Sequence, residues 1–168
     1  MRYWILYICL LSFTTGAKGQ EILDFNLIIL VNNELNTGII SDVHLLVKNG
    51  SEQRKIEVDY YPGNLSLMKA DQQLIKTAHS DSVFIVFNHN IFCKGDHITV
   101  HFEIPFSQNW TKEPYTILKV YDLSRGKYKD VFKPINNRKN YTFEVDSQGS
   151  AVTRVMIGKI KKKRFCKK

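Results

Sequence analysis

The strongest chemical signal in the sequence is a run of cationic side chains near its C-terminal end. Residues 154–168 contain eight Lys or Arg residues and no acidic residue. The members of this run that we expect to bind a ligand are Lys159, Lys161, Lys162, Lys163, Arg164, Lys167 and Lys168. Like charges this close repel each other, and a bound polyanion would relieve the repulsion. The run therefore predicts binding to a sulfated glycosaminoglycan, an acidic receptor module or an anionic membrane surface, with a solvated, disordered end as the alternative.

The sequence contains none of the common motifs that indicate a catalytic site. It has no G-x-S-x-G, no phosphate-binding glycine loop, no H-E-x-x-H and no C-x-x-C. His97 and His101 share a face of a predicted strand, but four residues at ~3.3 Å each separate them by about 13 Å, too far to hold one ion. We expect both to be half-exposed polar positions, with a role in binding or pH response as the alternative. The sequence predicts no enzyme, no cofactor and no metal site.

The N-terminal residues have the pattern of a secretory signal. An apolar run at 3–13 follows Met1 and Arg2, and Ala17-Lys18-Gly19 is a small-x-small cleavage pattern. We predict a signal peptide at 1–19, with a short buried helix as the alternative. No later segment approaches the ~20 consecutive apolar residues that cross a bilayer. We therefore expect a secreted, extracellular, soluble protein with one domain at 20–153 and a basic tail at 154–168.

Two cysteines would remain after the signal is removed, Cys93 and Cys166. In an oxidising compartment they most simply form a disulfide, with an intermolecular bridge as the alternative. A disulfide within one chain would hold the tail beside the loop after residue 93. Closure of so long a loop would contribute ~3–5 kcal/mol in the chain-entropy model.

Four N-glycosylation sequons support the same extracellular location. Their acceptor residues are Asn49, Asn64, Asn109 and Asn140. One such triplet means little, but four in a chain with a signal peptide predict a glycosylated surface.

The positive charge belongs to the tail and not to the domain. The formal net charge of +8 becomes +6 when Arg2 and Lys18 leave with the signal. The tail alone carries a charge of +8, so the rest of the mature chain has a net charge of −2. Partners suggested by charge are therefore partners of the tail.

The elements that must position these residues are short strands and one helix. Within 62–87, Leu67, Leu74 and Ala78 recur at helical spacing, with Met68 and Ile75 beside them. We predict a helix capped by the asparagine-containing loop before it, followed by a buried strand at 83–87. Further strands are predicted at 23–31, 39–48, 55–60, 97–104, 116–121, 128–132, 141–145 and 151–157. This order predicts a mainly β fold: an immunoglobulin-like β-sandwich of about eight or nine strands with one inserted α-helix.

The segment order also resembles a known family. Residues 65–87, followed by HITVHFEI and EPYTILKVYDLSRGKY, resemble the C-terminal receptor-binding domain of the alpha-macroglobulin and complement family. The matching text is LIKTA, SVFIVFN, VHFEI and residues 114–122, within a match over 25–128, and ILKVYD is its most distinctive part. Leu123-Ser124 departs from the family's usual two tyrosines, and the chain has no thioester motif or bait region. The resemblance implies a lone receptor-binding-type module that cannot itself trap proteases.

In that family, lysines on or near the helix bind acidic, calcium-loaded repeats of lipoprotein-type receptors. Tyr61 and Leu67 occupy the two corresponding positions here, so those contacts cannot be carried over. Lys69 and Lys76, seven residues apart and so on one helical face, are the local substitutes. The alternative is two solvated lysines opposite the apolar face.

Together these patterns predict a secreted, glycosylated, non-catalytic binding module. Its expected partner is an extracellular acidic receptor or a sulfated polysaccharide such as heparin, bound through the basic C-terminal face, and not a nucleic acid. One alternative is a protease-inhibitor-related or immune-effector fragment of the alpha-macroglobulin type. A second is a structural glycoprotein of a secretory fluid or matrix. The oligomeric state is left open by the sequence.

Overall fold

The computed structural model describes residues 21–35, 39–79, 82–93, 95–124 and 126–160. The predicted signal peptide and most of the predicted tail lie outside them. The described residues form eleven strands and one α-helix: β1 (Ile22–Phe25), β2 (Leu27–Val31), β3 (Ile40–Asn49), β4 (Glu52–Glu57), β5 (Asp59–Tyr61), β6 (Asn64–Met68), α1 (Lys69–Thr77), β7 (Val83–Cys93), β8 (Asp96–Pro105), β9 (Thr116–Asp122), β10 (Tyr141–Ser147) and β11 (Ala151–Val152). Short 3-10 helices lie at Gln108–Lys112 and Gly126–Tyr128. None of the described helices is long and apolar enough to cross a bilayer.

Two four-stranded sheets pack face to face as a β-sandwich. Their strand orders are β4-β3-β7-β8 and β11-β10-β9-β2, and a third sheet has the order β1-β6-β5. Every strand pair is antiparallel except β2 with β9, which is parallel. The core between the sheets includes Leu45, Phe87 and Phe102 from one and Ile29 and Leu118 from the other, all fully buried. The predicted fold class, a mainly β sandwich with one helix, is confirmed.

Two predicted strands are each divided between two sheets. The chain leaves β1 of the third sheet at Asn26 and enters β2 of the sandwich, and it makes a similar change at Val58 between β4 and β5. Apolar positions that face the core continue at a spacing of two through both changes. Phe25, Leu27 and Ile29 are buried at the first change, and Val58 and Tyr60 follow the buried Ile56 as half-buried residues at the second. The alternation is unbroken, so the sequence predicts one strand where the structure has two.

The helix is shorter than predicted and begins later. Leu65 and Leu67 lie on β6, where they pair with Phe25 and Leu23 of β1 and are buried at strand spacing. The prediction that Leu67 lies on the helix is therefore wrong, because pairing with β1 holds this segment extended. The predicted asparagine cap is also wrong, since the N-cap is Met68 and no side chain caps the helix. On α1 itself Ile75 is buried.

Two further strand predictions are corrected. Residues 128–132 are predicted as a strand, but Tyr128 ends the 3-10 helix Gly126–Tyr128 and residues 129–131 form a turn. The buried side chains there are Tyr128, Val131 and Phe132, spaced three and four apart rather than two. The predicted strand at 151–157 is reduced to Ala151–Val152. Beyond it residues 153–160 have no regular secondary structure, and their backbone N–H groups bond to the Glu144 side chain and to the Val131 carbonyl instead of continuing the pairing with β10.

Candidate polyanion-binding surface

A cationic loop joins β9 to β10 at one end of the sandwich. Residues 126–139, here called the basic loop, contain five basic residues and a single acid, Asp130. The basic residues are Lys127, Lys129, Lys133, Arg138 and Lys139. The loop returns to its starting point, because the backbone N–H of Leu123 donates to the carbonyl of Asn140 at 2.8 Å. The cationic side chains are thereby concentrated at one end of the molecule.

Aromatic side chains hold the basic loop against the outer face of β9. The ring of Tyr121 lies 4.6 Å from the ring of Phe132 and 4.8 Å from the ring of Tyr128. Leu123 and Val131 complete this small buried cluster. The side chains between these anchors face outward, and Lys129 and Lys133 are exposed. The loop therefore presents its cations from a packed base.

Polar contacts reinforce the same anchor. The Tyr121 hydroxyl donates to Glu144 Oε2 at 2.7 Å, and Asn33 Nδ2 donates to the Tyr128 hydroxyl at 2.9 Å. Burial raises the pKa of Tyr121, and the hydrogen bond to the Glu144 carboxylate raises that pKa further. The hydroxyl therefore stays protonated and remains a donor.

The chain after β11, residues 153–160, runs back along β10 to the basic loop; we call it the C-terminal segment. The backbone N–H of Arg154 donates to Glu144 Oε1 at 2.9 Å, and its Nε donates to the Phe143 carbonyl at 3.1 Å. Further along, the N–H of Ile157 donates to the Val131 carbonyl at 2.7 Å. Gly158 lies so close to the loop backbone that a Cβ there would be 2.3 Å from the carbonyl oxygen of Asp130. The first residues of the predicted tail are therefore seated on the basic loop.

The cations of these two segments differ in what they contact. Lys127 Nζ lies 3.8 Å from Glu34 Oε1, and Lys139 Nζ lies 3.8 Å from Glu103 Oε2. The exposed cations without an ion pair to any described residue are Lys129, Lys133, Arg138, Arg154 and Lys159, although the Arg154 guanidinium donates to the Phe143 carbonyl. We call the cationic side chains of the basic loop and the C-terminal segment the basic face.

A shallow cleft lies where the basic loop returns to β10. Its volume is about 300 Å³, and its lining includes Arg138, Lys139, His101, Ser124 and Asp122. The Asp122 carboxylate is already engaged on one side, since Oδ1 accepts from the backbone N–H of Ser124 at 2.8 Å. The cleft thus combines two cations and a hydroxyl with one carboxylate at its base.

The structure describes only part of the predicted site. Lys159 is exposed at the end of the C-terminal segment. Lys161, Lys162, Lys163, Arg164, Lys167 and Lys168 lie outside the described residues. Lys69 and Lys76 are exposed on α1, which packs on β6 and β1 of the third sheet, whereas the basic loop packs on β9. Lys69 is paired with Glu21. The helix lysines therefore belong to a different part of the surface from the basic face.

The basic loop was not among the predicted sites. Its signal in the sequence is five basic residues within fourteen. That density was obscured by the strand predicted at 128–132, which contains only Lys129 of the five and divides the stretch between separate elements. Only the fold brings this loop and the C-terminal segment together.

The four sequons differ in their surroundings. Asn49, Asn109 and Asn140 are exposed, at the end of β3, in a 3-10 helix and just before β10. Asn64 is half-buried on β6, and its Nδ2 donates to Ser66 Oγ at 2.9 Å. Glycosylation stays a prediction at all four. The Cys93–Cys166 disulfide also stays a prediction, because Cys93 ends β7 while Cys166 lies outside the described residues.

The histidines occupy separate environments. His97 is exposed and its ring lies 4.9 Å from the ring of Phe92, while His101 Nδ1 lies 3.0 Å from Asn88 Oδ1. His89 is buried, and neither of its ring nitrogens has a hydrogen-bond partner among the described residues. Burial lowers the pKa of His89, although the charges of Asp122 and Glu34 oppose this. No group of three or more metal-ligating side chains occurs in the described part of the chain.

Comparison of the chain with protein-family models, with curated proteins and with solved structures finds no match. The resemblance to the receptor-binding domain of the alpha-macroglobulin and complement family is not tested by these comparisons and stays a prediction.

Proposed function

We propose that this protein is a secreted, glycosylated, non-catalytic module that binds a polyanion through its basic face. The observation that carries the proposal is the seating of the C-terminal segment on the basic loop. The hydrogen bond from Ile157 to Val131 and the close approach of Gly158 to Asp130 join two cationic stretches that are separate in the sequence. One extended anion can therefore contact both.

The distribution of charge along the chain also supports binding of a polyanion at the basic face. Residues 21–82 contain nine acidic and five basic residues, whereas the basic loop and the chain after Arg154 carry almost only cations. A polyanion is attracted to the basic loop and the chain after Arg154, and it gains little from residues 21–82. The asymmetry favours one binding face over general adhesion.

The exposed cations also suit a chain of anionic groups. Lys129, Lys133 and Lys159 are compact charges on flexible stems, which can follow an irregular anion. Arg138 lines the cleft at the root of the loop, and its planar guanidinium can donate two parallel hydrogen bonds to one oxyanion. The polyanion expected outside the cell is a sulfated glycosaminoglycan, an acidic receptor module or an anionic membrane surface.

Heparin-affinity chromatography tests the proposal with two matched variants. The first combines Lys129→Gln, Lys133→Gln and Arg138→Gln on the basic loop. The second combines Lys69→Gln and Lys76→Gln on α1, which removes charge from exposed lysines outside the basic face. We expect the loop variant to elute at clearly lower salt than the unmodified protein, and the helix variant to elute nearly as the unmodified protein does.

A third protein, truncated after Ile160, measures how much residues 161–168 contribute to heparin binding. The truncation keeps the contacts of Arg154 and Ile157. Elution of the unmodified protein at low salt, or equal elution of the loop variant and the unmodified protein, would contradict the proposal. The protease-inhibitor-related and structural-glycoprotein alternatives stay predictions, since no contact among the described residues favours either.

A further inference from the structure

The C-terminal segment exposes a group of large apolar side chains. Val155 is 84% exposed, Met156 56%, Ile157 58% and Ile160 52%. Single exposed apolar residues are normal on a protein surface, but a contiguous group of them marks an interaction site. Four within six residues therefore need a partner that takes apolar side chains out of water.

The backbone of this segment is fixed while those side chains face solvent. Arg154 is bonded to Glu144 and Phe143, and Ile157 donates its N–H to Val131. At Gly158 the backbone approaches the loop too closely for any side chain. The apolar side chains are thus presented outward from an anchored backbone, which lowers the entropy lost when they bind.

Cations surround this apolar group. Arg154 precedes it and Lys159 lies within it in the chain. Val131, which accepts the bond from Ile157, lies between Lys129 and Lys133 in the basic loop. The next residues of the sequence are KKKR. Apolar side chains set among lysine and arginine are the composition by which proteins lie in the interface of an anionic bilayer. A sulfated sugar chain would satisfy the cations and leave the apolar side chains in water.

We propose that the polyanion bound by the basic face is the surface of an anionic lipid bilayer. Val155, Met156, Ile157 and Ile160 enter the headgroup layer, while the cations of the basic face contact the lipid phosphates and carboxylates. This inference rests on the proposed function, because it names the class of polyanion that the same face binds. The protein lies on the bilayer and reaches only its outer layer.

The test is flotation of the chain from residue 20 to 168 with phosphatidylcholine vesicles that contain phosphatidylserine, alongside vesicles of phosphatidylcholine alone. The apolar variant combines Val155→Ser, Met156→Ser, Ile157→Ser and Ile160→Ser. The matched control combines Ile22→Ser and Tyr61→Ser, which are similarly exposed but lie on the third sheet beside Asp24 and Asp59. We expect the apolar variant to lose at least about 30-fold in affinity for the anionic vesicles, while the control binds as the unmodified protein does.

Heparin elution of the same proteins separates this inference from the proposed function. We expect the apolar variant to elute from heparin at the same salt as the unmodified protein. Binding to heparin without binding to anionic vesicles would overturn the membrane inference and leave the proposed function standing. Failure to bind either would overturn both.

Three other outcomes would also overturn the membrane inference. One is equal vesicle binding by the apolar variant and the unmodified protein, which would assign the binding to charge alone. Another is equal binding to vesicles with and without phosphatidylserine. The third is a dimer in sedimentation equilibrium that the four serine substitutions abolish, since the apolar group would then be covered by a second copy of the chain.

Discussion

Replacing Gly158 by alanine should detach the C-terminal segment from the basic loop. A Cβ at this position would lie 2.3 Å from the carbonyl oxygen of Asp130, and real Cβ contacts essentially never fall below 3.0 Å. The two backbones would have to separate by at least about 0.7 Å, the difference between these distances. The same shift would stretch the neighbouring hydrogen bond from Ile157 to Val131, now 2.7 Å, to the limit of a hydrogen bond.

Gly158→Ala changes the free energy of unfolding through contributions of opposite sign. Overpacking against backbone costs about 1–3 kcal/mol, and the weakened hydrogen bond contributes to this loss. Replacing glycine by alanine also restricts the unfolded chain, which stabilises the folded state by about 0.4–1 kcal/mol. We therefore expect Gly158→Ala to lower the free energy of unfolding by about 1 kcal/mol.

Gly149 provides a matched control, because a Cβ there also meets an oxygen at 2.3 Å. That oxygen is Oε1 of Glu113, the end of a flexible side chain that can rotate away at the cost of one exposed hydrogen bond, from the Gly149 N–H to Glu113 Oε2 at 2.8 Å. Gly149 and Gly158 are not among the described glycines with a positive φ, so alanine can adopt the φ angle of either residue. We expect Gly149→Ala to be neutral or slightly stabilising.

Urea unfolding of both variants, extrapolated to water, measures the difference between them. Hydrogen exchange at the Ile157 amide reports the contact directly and should become faster in Gly158→Ala only. Equal stability of the two variants, together with unchanged protection of Ile157, would refute the conclusion that the segment is anchored at this point.

The remaining predictions concern the core and its buried charges. Burial holds the pKa of His89 below its usual 6.5, so as the pH falls the unfolded chain binds a proton at this histidine before the folded protein does. The free energy of unfolding should therefore drop by up to about 1.4 kcal/mol per pH unit below pH 6.5. Unfolding curves of His89→Leu at several pH values should lack this slope. Lys48→Met removes the 2.8 Å hydrogen bond to the largely buried Glu103 carboxylate and should cost about 1.5–3 kcal/mol by urea unfolding. Phe87→Ala, at a fully buried ring 5.3 Å from Phe102, should cost about 3–5 kcal/mol, whereas Phe92→Ala, at an exposed ring, should cost less than about 1 kcal/mol by thermal unfolding.

Each of these has a result that would contradict it. Stability that is flat or rises between about pH 6.5 and 5.5 would show that His89 is not held neutral by burial. A Lys48→Met protein as stable as the unmodified one would mean that solvent and Lys139, 3.8 Å from Glu103 Oε2, satisfy the carboxylate without Lys48. Equal losses at positions 87 and 92 would contradict the assignment of the core.

The sequence predicted the class of the fold because alternation is a local property. Along β8 every second residue from Ile98 to Ile104 is half-buried or buried, and this pattern needs no knowledge of the partner strands. The changes of sheet at Asn26 and Val58 leave no such trace, since the alternation continues through both. Leu67 was misplaced for a related reason: helical spacing was present, but pairing with β1 decided the conformation.

The sequence predicted the cations at the C-terminal end of the candidate site but not those of the basic loop. Lys159 could be identified from the density of charge, which is visible in the sequence. Lys129 and Lys133 could not be joined to it, because the joining contact is a backbone hydrogen bond between Val131 and Ile157. Backbone groups are the same at every residue, so composition contains no record of such a pairing.

The parallel pairing of β2 with β9 has a consequence for how the chain folds. Leu27 of β2 lies opposite Thr116, about ninety residues later, so the pair forms only after a large loop has closed. Until β9 has been synthesised, LIILV in β2 is a short apolar segment without charge, a composition prone to aggregate. We therefore expect slow folding, with a waiting period in which a chaperone or an early collapse must shield β2. Chains terminated before β9 would keep this strand unpaired permanently.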